Sequence, residues 1–341
     1  MEQNEKANRA IHDGEEVQKI WSWGAGTDGQ LGTGKLEDEL LPQLLHLPSL
    51  TSSGPISLLA CGGAHVIALS SGGRVLTWGR GTSGQLGHGE MVNSLYPMPV
   101  TSLQDYFITH VSAGWSHSGF VSDSGCLFTC GDGSFGQLGH GEYRSHCSPV
   151  RVSYFLNEHV KQMACGMRHS LVLLEVDGHL YNWGRGFSGS PDSHFPQFSS
   201  SSFMFTRAAL GWNHALALTG DAEVFMLGGN YHGVLGDLEK MRPANQLPDS
   251  REAILEKVAG LDGVKILQIA AGAEHSAVVT ENGEIKTWGW GEHGQLGLGN
   301  ICDQTSPQAV SLSGNTNRAA SFKVYCGSGF TFAIMHPCDL S

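Results

Sequence analysis

Residues 78–89 read WGRGTSGQLGHG, with glycines in the pattern G-x-G-x-x-G at Gly79, Gly81 and Gly84. After a strand, that pattern can cradle a dinucleotide's pyrophosphate, but only where a helix follows whose N-terminal amides meet the phosphate charge. Here Gln85-Leu86-Gly87-His88-Gly89 follows, and each further glycine disfavours a helix by about 1 kcal/mol relative to alanine. The phrase also recurs. WGAGTDGQLGTG begins at Trp23, CGDGSFGQLGHG at Cys130 and WGWGEHGQLGLG at Trp288, with worn copies WGRGFSGS from Trp183 and LGGNYHGVLGD from Leu227. A repeated architectural turn explains six copies better than six nucleotide sites do, with glycine placed where positive φ or close backbone approach is needed.

A second phrase alternates with the first. CGGAHVIAL (61–69), AGWSHSGFV (113–121), CGMRHSLVL (165–173), LGWNHALAL (210–218), AGAEHSAVV (271–279) and CGSGFTFAI (326–334) carry His65, His117, His169, His214, His275 and Phe330 at their fifth position. The steps between them are 52, 52, 45, 61 and 55 residues, a mean of 53. Within a unit, short β-branched and aromatic runs are bounded by Gly and Ser, as in HVIALS, SGG and RVLTWG, which is the signature of antiparallel strands joined by tight turns. One such sheet cannot bury both of its faces. Radial stacking of several does, so the spacing predicts an all-β chain folded as a β-propeller.

The chain opens with VQKIWSWG (17–24), equivalent to the last strand of a unit, and ends after CGSGFTFAIM (326–335), where that strand is missing. The N-terminal strand is therefore expected to pair with the C-terminal sheet. By repeat count the propeller has six blades, with residues 17–336 as one domain between a polar tail (1–16) and a short C-terminal tail (337–341). The phrases WGxGxxGQLGxG and CGxxHxxAL, with a period near 53, resemble the regulator of chromosome condensation family. WD-type repeats are shorter, and kelch repeats carry a different glycine pattern. Propellers of the resembled family usually have seven blades, so six departs from its pattern.

Composition narrows the function. A formal charge of −12 opposes direct binding of nucleic acid, which requires clustered Lys and Arg. No run of about 18 apolar residues is present, so no membrane span is expected, and the polar N-terminal stretch lacks the apolar centre of a signal peptide. Of eight cysteines, Cys61, Cys165 and Cys326 share one repeat position that Ala113, Leu210 and Ala271 fill elsewhere, the mark of a small apolar site. Cys126 and Cys130 have no second close pair to complete a zinc site. Reduced thiols in the cytoplasm or nucleus are the expectation, with no metal and no cofactor.

The recurring histidines have no carboxylate or cysteine repeated beside them, and each is expected to hold backbone groups of an adjacent turn. Trp23, Trp78, Trp183 and Trp288 share one repeat position and read as inter-blade packing. Trp115 and Trp212 differ: each lies two residues before a repeated His, where other units have Met167 or Ala273. With Arg168 they are the candidate partner-binding residues, tryptophan being a common interface anchor.

No catalytic constellation is visible. The family's founding member promotes nucleotide exchange on Ran and docks on nucleosomes, so the resemblance implies protein partners, among them a small GTPase or a chromatin-associated protein. A plant branch that senses ultraviolet-B light carries Gly-Trp-Arg-His-Thr. This chain is similar only in part, with Gly114-Trp115-Ser116-His117-Ser118, Gly166-Met167-Arg168-His169-Ser170 and Gly211-Trp212-Asn213-His214-Ala215. The residues thus point to a non-enzymatic protein-interaction scaffold, with guanine nucleotide exchange as the alternative and light sensing third. Two irregular stretches, 188–205 and 237–263, are candidate specificity loops. The second is expected to include a short helix at 250–259, with Ile254, Leu255 and Val258 on one stripe.

Overall fold

A computed structural model describes residues 18–46, 52–175, 180–185, 192–199, 207–211, 214–218, 223–228, 255–312 and 321–336. They form six four-stranded antiparallel sheets, the blades of a propeller. Blade 1 contains Ile56–Cys61, His65–Ser70, Val75–Gly79 and Ser94–Pro99. Blade 2 contains Ile108–Ala113, His117–Ser122, Leu127–Gly131 and His146–Arg151. Blade 3 contains Val160–Cys165, His169–Leu174, Leu180–Gly184 and Ser193–Ser199. Blade 4 contains Arg207–Leu210, His214–Leu218, Val224–Gly228 and Leu255–Lys257. Blade 5 contains Ile266–Ala271, His275–Thr280, Ile285–Gly289 and Gln304–Ala309.

Blade 6 joins the two ends of the chain. Its first two strands are Ser321–Cys326 and Phe330–His336; its outer two are the N-terminal Lys19–Gly24 and Glu39–Leu44. Lys19 pairs with Met335 and Gly24 with Phe330 in an uninterrupted antiparallel register. The Gln18 side-chain amide then exchanges two 2.8 Å hydrogen bonds with the backbone of Ile56, tying this staple to blade 1.

The glycine phrase is a turn between the third and fourth strands. At Gly81 an added Cβ would strike the carbonyl of Val92, and Gly84, at φ +84°, lies against the Cα of Cys147. The Gln of the phrase folds back, its Oε1 accepting the amide of Ser83 in blade 1 and of Asp28, Phe135 and His293 in blades 6, 2 and 5, each at 2.9 Å. Its carbonyl receives the next blade: Trp78 Nε1 donates to Gln30 at 2.9 Å, Trp183 to Gln137 at 2.8 Å and Trp23 to Gln295 at 2.8 Å. These indoles are fully buried.

The histidines hold something other than an adjacent turn's backbone. His65 Nε2 meets Ser118 Oγ of blade 2 at 2.9 Å, and Ser118 donates its only proton to the Gln85 carbonyl at 2.7 Å. The imidazole must therefore be the donor to the serine. The same pin joins His117 to Ser170 (2.9 Å), His214 to Ser276 (3.0 Å) and His275 to Thr331 (3.0 Å). The partner is a hydroxyl on the next blade because the second-strand side chain is packed between adjacent sheets. Where the repeat places Phe330, the facing residue of blade 1 is Val66, and the two pack in one apolar cluster.

These imidazoles are neutral donors in a buried site. Burial, with a neighbouring imidazole's charge as a lesser cause in two of them, lowers His65 and His275 from 6.5 to about 3. Burial lowers His117 and His214 to about 4. The unfolded chain takes up protons at these positions below pH ~6.5 and the folded chain does not, so stability is complete above that value and falls as pH drops towards ~4. We expect the unfolding temperature to be at least ~10 °C lower at pH ~4.5 than at pH ~7. A scan that stays level over that interval contradicts the buried neutral pins.

Apolar clusters span the boundaries of blades 6 and 1, 1 and 2, 2 and 3, 4 and 5, and 5 and 6. Among the described residues, none spans blades 3 and 4. The second strand of blade 3, His169–Leu174, alternates half-buried with buried, whereas its equivalents in blades 1, 2 and 5 are buried throughout. Within 250–259, the expected helix is corrected: Leu255–Lys257 is a strand whose residues pair with Leu227, Met226 and Phe225. The waiting edge of Val224–Gly228 outweighs a weak local helical pattern. Residues 250–254, and most of both irregular loops, lie outside the described residues.

Candidate functional site

Antiparallel connectivity places the turn between strands one and two and the loop between strands three and four at the same end of every blade. That end is the candidate site. The repeated turn is fixed first: Gly62, Gly114, Gly166, Gly211 and Gly272 each donate a backbone hydrogen bond to the carbonyl of the residue three further on, His65, His117, His169, His214 or His275. The turns are then linked from blade to blade, Gly63 N donating to Gly114 O at 3.0 Å and Trp115 N to Gly166 O at 3.1 Å.

Trp115 is half-buried in the blade 2 turn. Its ring and carbonyl cover Gly63 of blade 1, where a Cβ would lie within 3.0 Å of the indole. Arg168 sits in the neighbouring turn, of blade 3, with its guanidinium 4.7 Å from the centroid of Phe135. Arg185 approaches the same ring at 5.2 Å, and its amide donates to the Arg168 carbonyl at 2.8 Å. The structure thus brings Trp115 and Arg168 onto linked turns and adds Phe135 and Arg185, which sequence reading missed. Trp212 lies outside the described residues. The signal for Phe135 was present: it fills the variable place of the glycine phrase that Asp28, Ser83 and His293 fill in other blades. A two-arginine clamp on one ring contributes cation–π attraction of about 0.5–1 kcal/mol per contact at a partly exposed site.

The same place makes different contacts elsewhere. Arg80 of blade 1 forms a bidentate pair with Asp28 of blade 6, at 3.0 and 2.9 Å, and His293 of blade 5 meets Asp38 of blade 6 at 3.0 Å. Being partly exposed, such pairs contribute about 1 kcal/mol or less.

The phosphate question now has a structural answer. In the 78–89 phrase the amide of Gly81 donates to Asn93 Oδ1, Ser83 to Gln85 Oε1, Gly84 to Gly81 O, Gly87 to Gly84 O and Gly89 to Cys147 O. The donors a phosphate would need are already committed. Among the described residues, no group of three or more His, Cys, Asp or Glu could hold a metal ion, and no helix is long and apolar enough to cross a membrane.

The repeat model "Regulator of chromosome condensation (RCC1) repeat" matches residues 19–69, 72–121, 124–173 and 282–334. The chain belongs to the RCC1 repeat family. This RCC1 chain is 32% identical over 326 residues to the ultraviolet-B receptor UVR8 of Arabidopsis thaliana, covering 92% of the chain and 70% of that protein. It is 31% identical over 295 residues to the secretion-regulating guanine nucleotide exchange factor of Bos taurus, covering 82% of the chain and 61% of that protein. Its match to human HERC2, an E3 ubiquitin-protein ligase, is 32% over 329 residues but spans only 6% of that much longer chain. Among solved structures, Prp20p of Saccharomyces cerevisiae, described with its binding to Gsp1p and histones, superimposes with a TM-score of 0.75 at 20% identity. That match covers 96% of the RCC1 chain and 93% of Prp20p. At that identity the likeness concerns the fold.

Proposed function

We propose that this RCC1 propeller is a non-enzymatic protein-interaction scaffold that binds its partners at the end carrying Trp115, Arg168 and the Phe135 clamp. The observation behind this reading is that clamp: two guanidinium groups on one half-buried ring, beside a half-buried tryptophan on a linked turn. Aromatic and arginine side chains held rigid are the side chains most often found to dominate binding energy. Action in the nucleus or cytoplasm fits the reading.

The test compares affinity capture by the wild-type chain with capture by Trp115→Ala/Arg168→Ala. Partners retained by the wild type should fall by tenfold or more with the double variant, with the unfolding temperature unchanged within ~3 °C. An identical partner profile overturns the assignment.

The second reading, guanine nucleotide exchange, is supported by the similarity to an exchange factor. Such exchange stabilises a nucleotide-free GTPase through contacts alone, so it too needs no nucleophile. GDP release from Ran and a small panel of GTPases, unaltered by a molar excess of the chain, removes it. Light sensing has weaker support in the residues, because Trp115 and Arg168 belong to different repeats and no single repeat carries the Gly-Trp-Arg-His-Thr string. Irradiation at 280–300 nm that leaves the oligomeric size unchanged excludes it.

A further inference from the structure

The loops between third and fourth strands carry an exposed apolar residue at one fixed repeat position. It is Ile301 in blade 5, Leu36 in blade 6, Met91 in blade 1 and Tyr143 in blade 2, and each is between 50% and 58% exposed. These four blades are consecutive around the ring. Between the loops, the fourth strand of the following blade leans back onto the preceding loop: Leu41 of blade 6 covers Gly299 of blade 5, and Tyr96 of blade 1 covers Gly34 of blade 6. Leu41 and Tyr96 are themselves 51% and 54% exposed. The apolar surface therefore continues from the blade 5 loop through blade 6 to the blade 1 loop along the outer edge, and at the next boundary Ser148 stands over Gly89.

Single exposed hydrophobic residues are ordinary on a protein surface, but a continuous band is not. Tyr143 also meets His194 Nδ1 of blade 3 at 3.0 Å, but the loop itself does not depend on these side chains. The loop is held by its glycines, by the Gln Oε1 cap and by the residue that receives the Gly26, Gly81, Gly133 or Gly291 amide, namely Asp38, Asn93, Ser145 or Asp303. Charge then selects what can cover the band. Loops 24–39, 79–94, 131–146 and 289–304 hold nine carboxylates against three basic side chains. A second copy of this chain would bring the same excess, and nucleic acid or an anionic membrane would be repelled.

We infer that this outer collar is a docking surface for a basic polypeptide segment carrying spaced large apolar side chains. The apolar residues enter between the blades while its Lys and Arg side chains face the loop carboxylates. The inference rests on the scaffold reading and adds to the same end of the propeller a set of contacts carried by Leu36, Met91, Tyr143 and Ile301 rather than by Trp115 and Arg168.

The test is peptide display on the immobilised full chain, with counter-selection on Leu36→Ser/Met91→Ser/Tyr143→Ser/Ile301→Ser. Enriched peptides should carry net positive charge and at least two large apolar residues. The best should bind the serine variant tenfold or more weakly, and should weaken about fivefold between ~50 and ~300 mM NaCl. Should the serine variant unfold, Glu37→Lys/Glu90→Lys serves instead, with an expected threefold or greater loss. Enriched peptides that are neutral or acidic, or that bind these variants as tightly as the wild type, overturn the inference, as does the absence of any enrichment. A concentration-dependent dimer in light scattering, lost in the serine variant, overturns it in favour of a second copy. Peptides whose binding depends on Trp115 and Arg168 alone would refute the collar while leaving the scaffold reading standing.

Discussion

A chain lacking residues 1–24 is expected to be recovered as aggregate, and a permutant that begins at residue 46 and carries residues 18–45 through a flexible linker after residue 341 is expected to be soluble and monomeric. The deleted strand carries Trp21 and Trp23, both fully buried. Trp21 packs on Phe322 with centroids 6.5 Å apart, and Trp23 reaches across to the Gln295 carbonyl. Truncating one buried tryptophan costs about 3–5 kcal/mol, so losing two consumes most of the roughly 5–15 kcal/mol that holds a typical domain together. The deletion also bares the Phe330–His336 strand along its whole length and orphans Glu39–Leu44. An uncovered apolar edge is a template for pairing with other chains. Size-exclusion chromatography with light scattering reads both outcomes. A soluble, monomeric deletion, or a permutant that still aggregates, would show that the terminal pairing is dispensable.

The second large effect concerns the one blade boundary with an inverted code. Phe330 stands where five blades have histidine, and Val66 stands where the partner hydroxyl would be. Phe330→His alone should lose about 3–4 kcal/mol, because it removes ring volume at a fully buried site and points an imidazole N–H at methyl groups. Val66→Ser alone should lose about 2 kcal/mol. In the double variant the new imidazole can donate to the new hydroxyl, which can donate to the Gln30 carbonyl, as Ser118 does to Gln85. We expect a favourable coupling of about 1–2 kcal/mol by urea titration, against strict additivity if the two positions do not meet.

The acid sensitivity expected of the histidine pins and the Phe330–Val66 exchange test opposite faces of one rule. An inter-blade boundary tolerates a donor with an acceptor, or two apolar groups, but not one of each. At the boundary of blades 3 and 4, His169 is followed around the ring by Ala215 in the sequence. That boundary also has the shortest repeat step, 45 residues.

The amino-acid sequence by itself determined the sheets, their number and the meeting of the two termini. Those features depend on alternation along a strand and on glycine where φ is positive, and neighbouring residues encode both. It also marked Trp115 and Trp212 as departures from their repeat position. Only the tertiary structure decided what each repeat position faces. The Ser118 hydroxyl for His65, the Val66 methyls for Phe330 and the Phe135 ring for Arg168 all lie on another blade, so no local spacing pairs them. The strand at Leu255–Lys257 has the same cause: its hydrogen-bond partners are offered by residues about thirty positions earlier, and a ladder already formed outweighs a local preference. The apolar collar became visible last, because exposure belongs to the assembled ring, and in the string of residues Leu36, Met91, Tyr143 and Ile301 look no different from core.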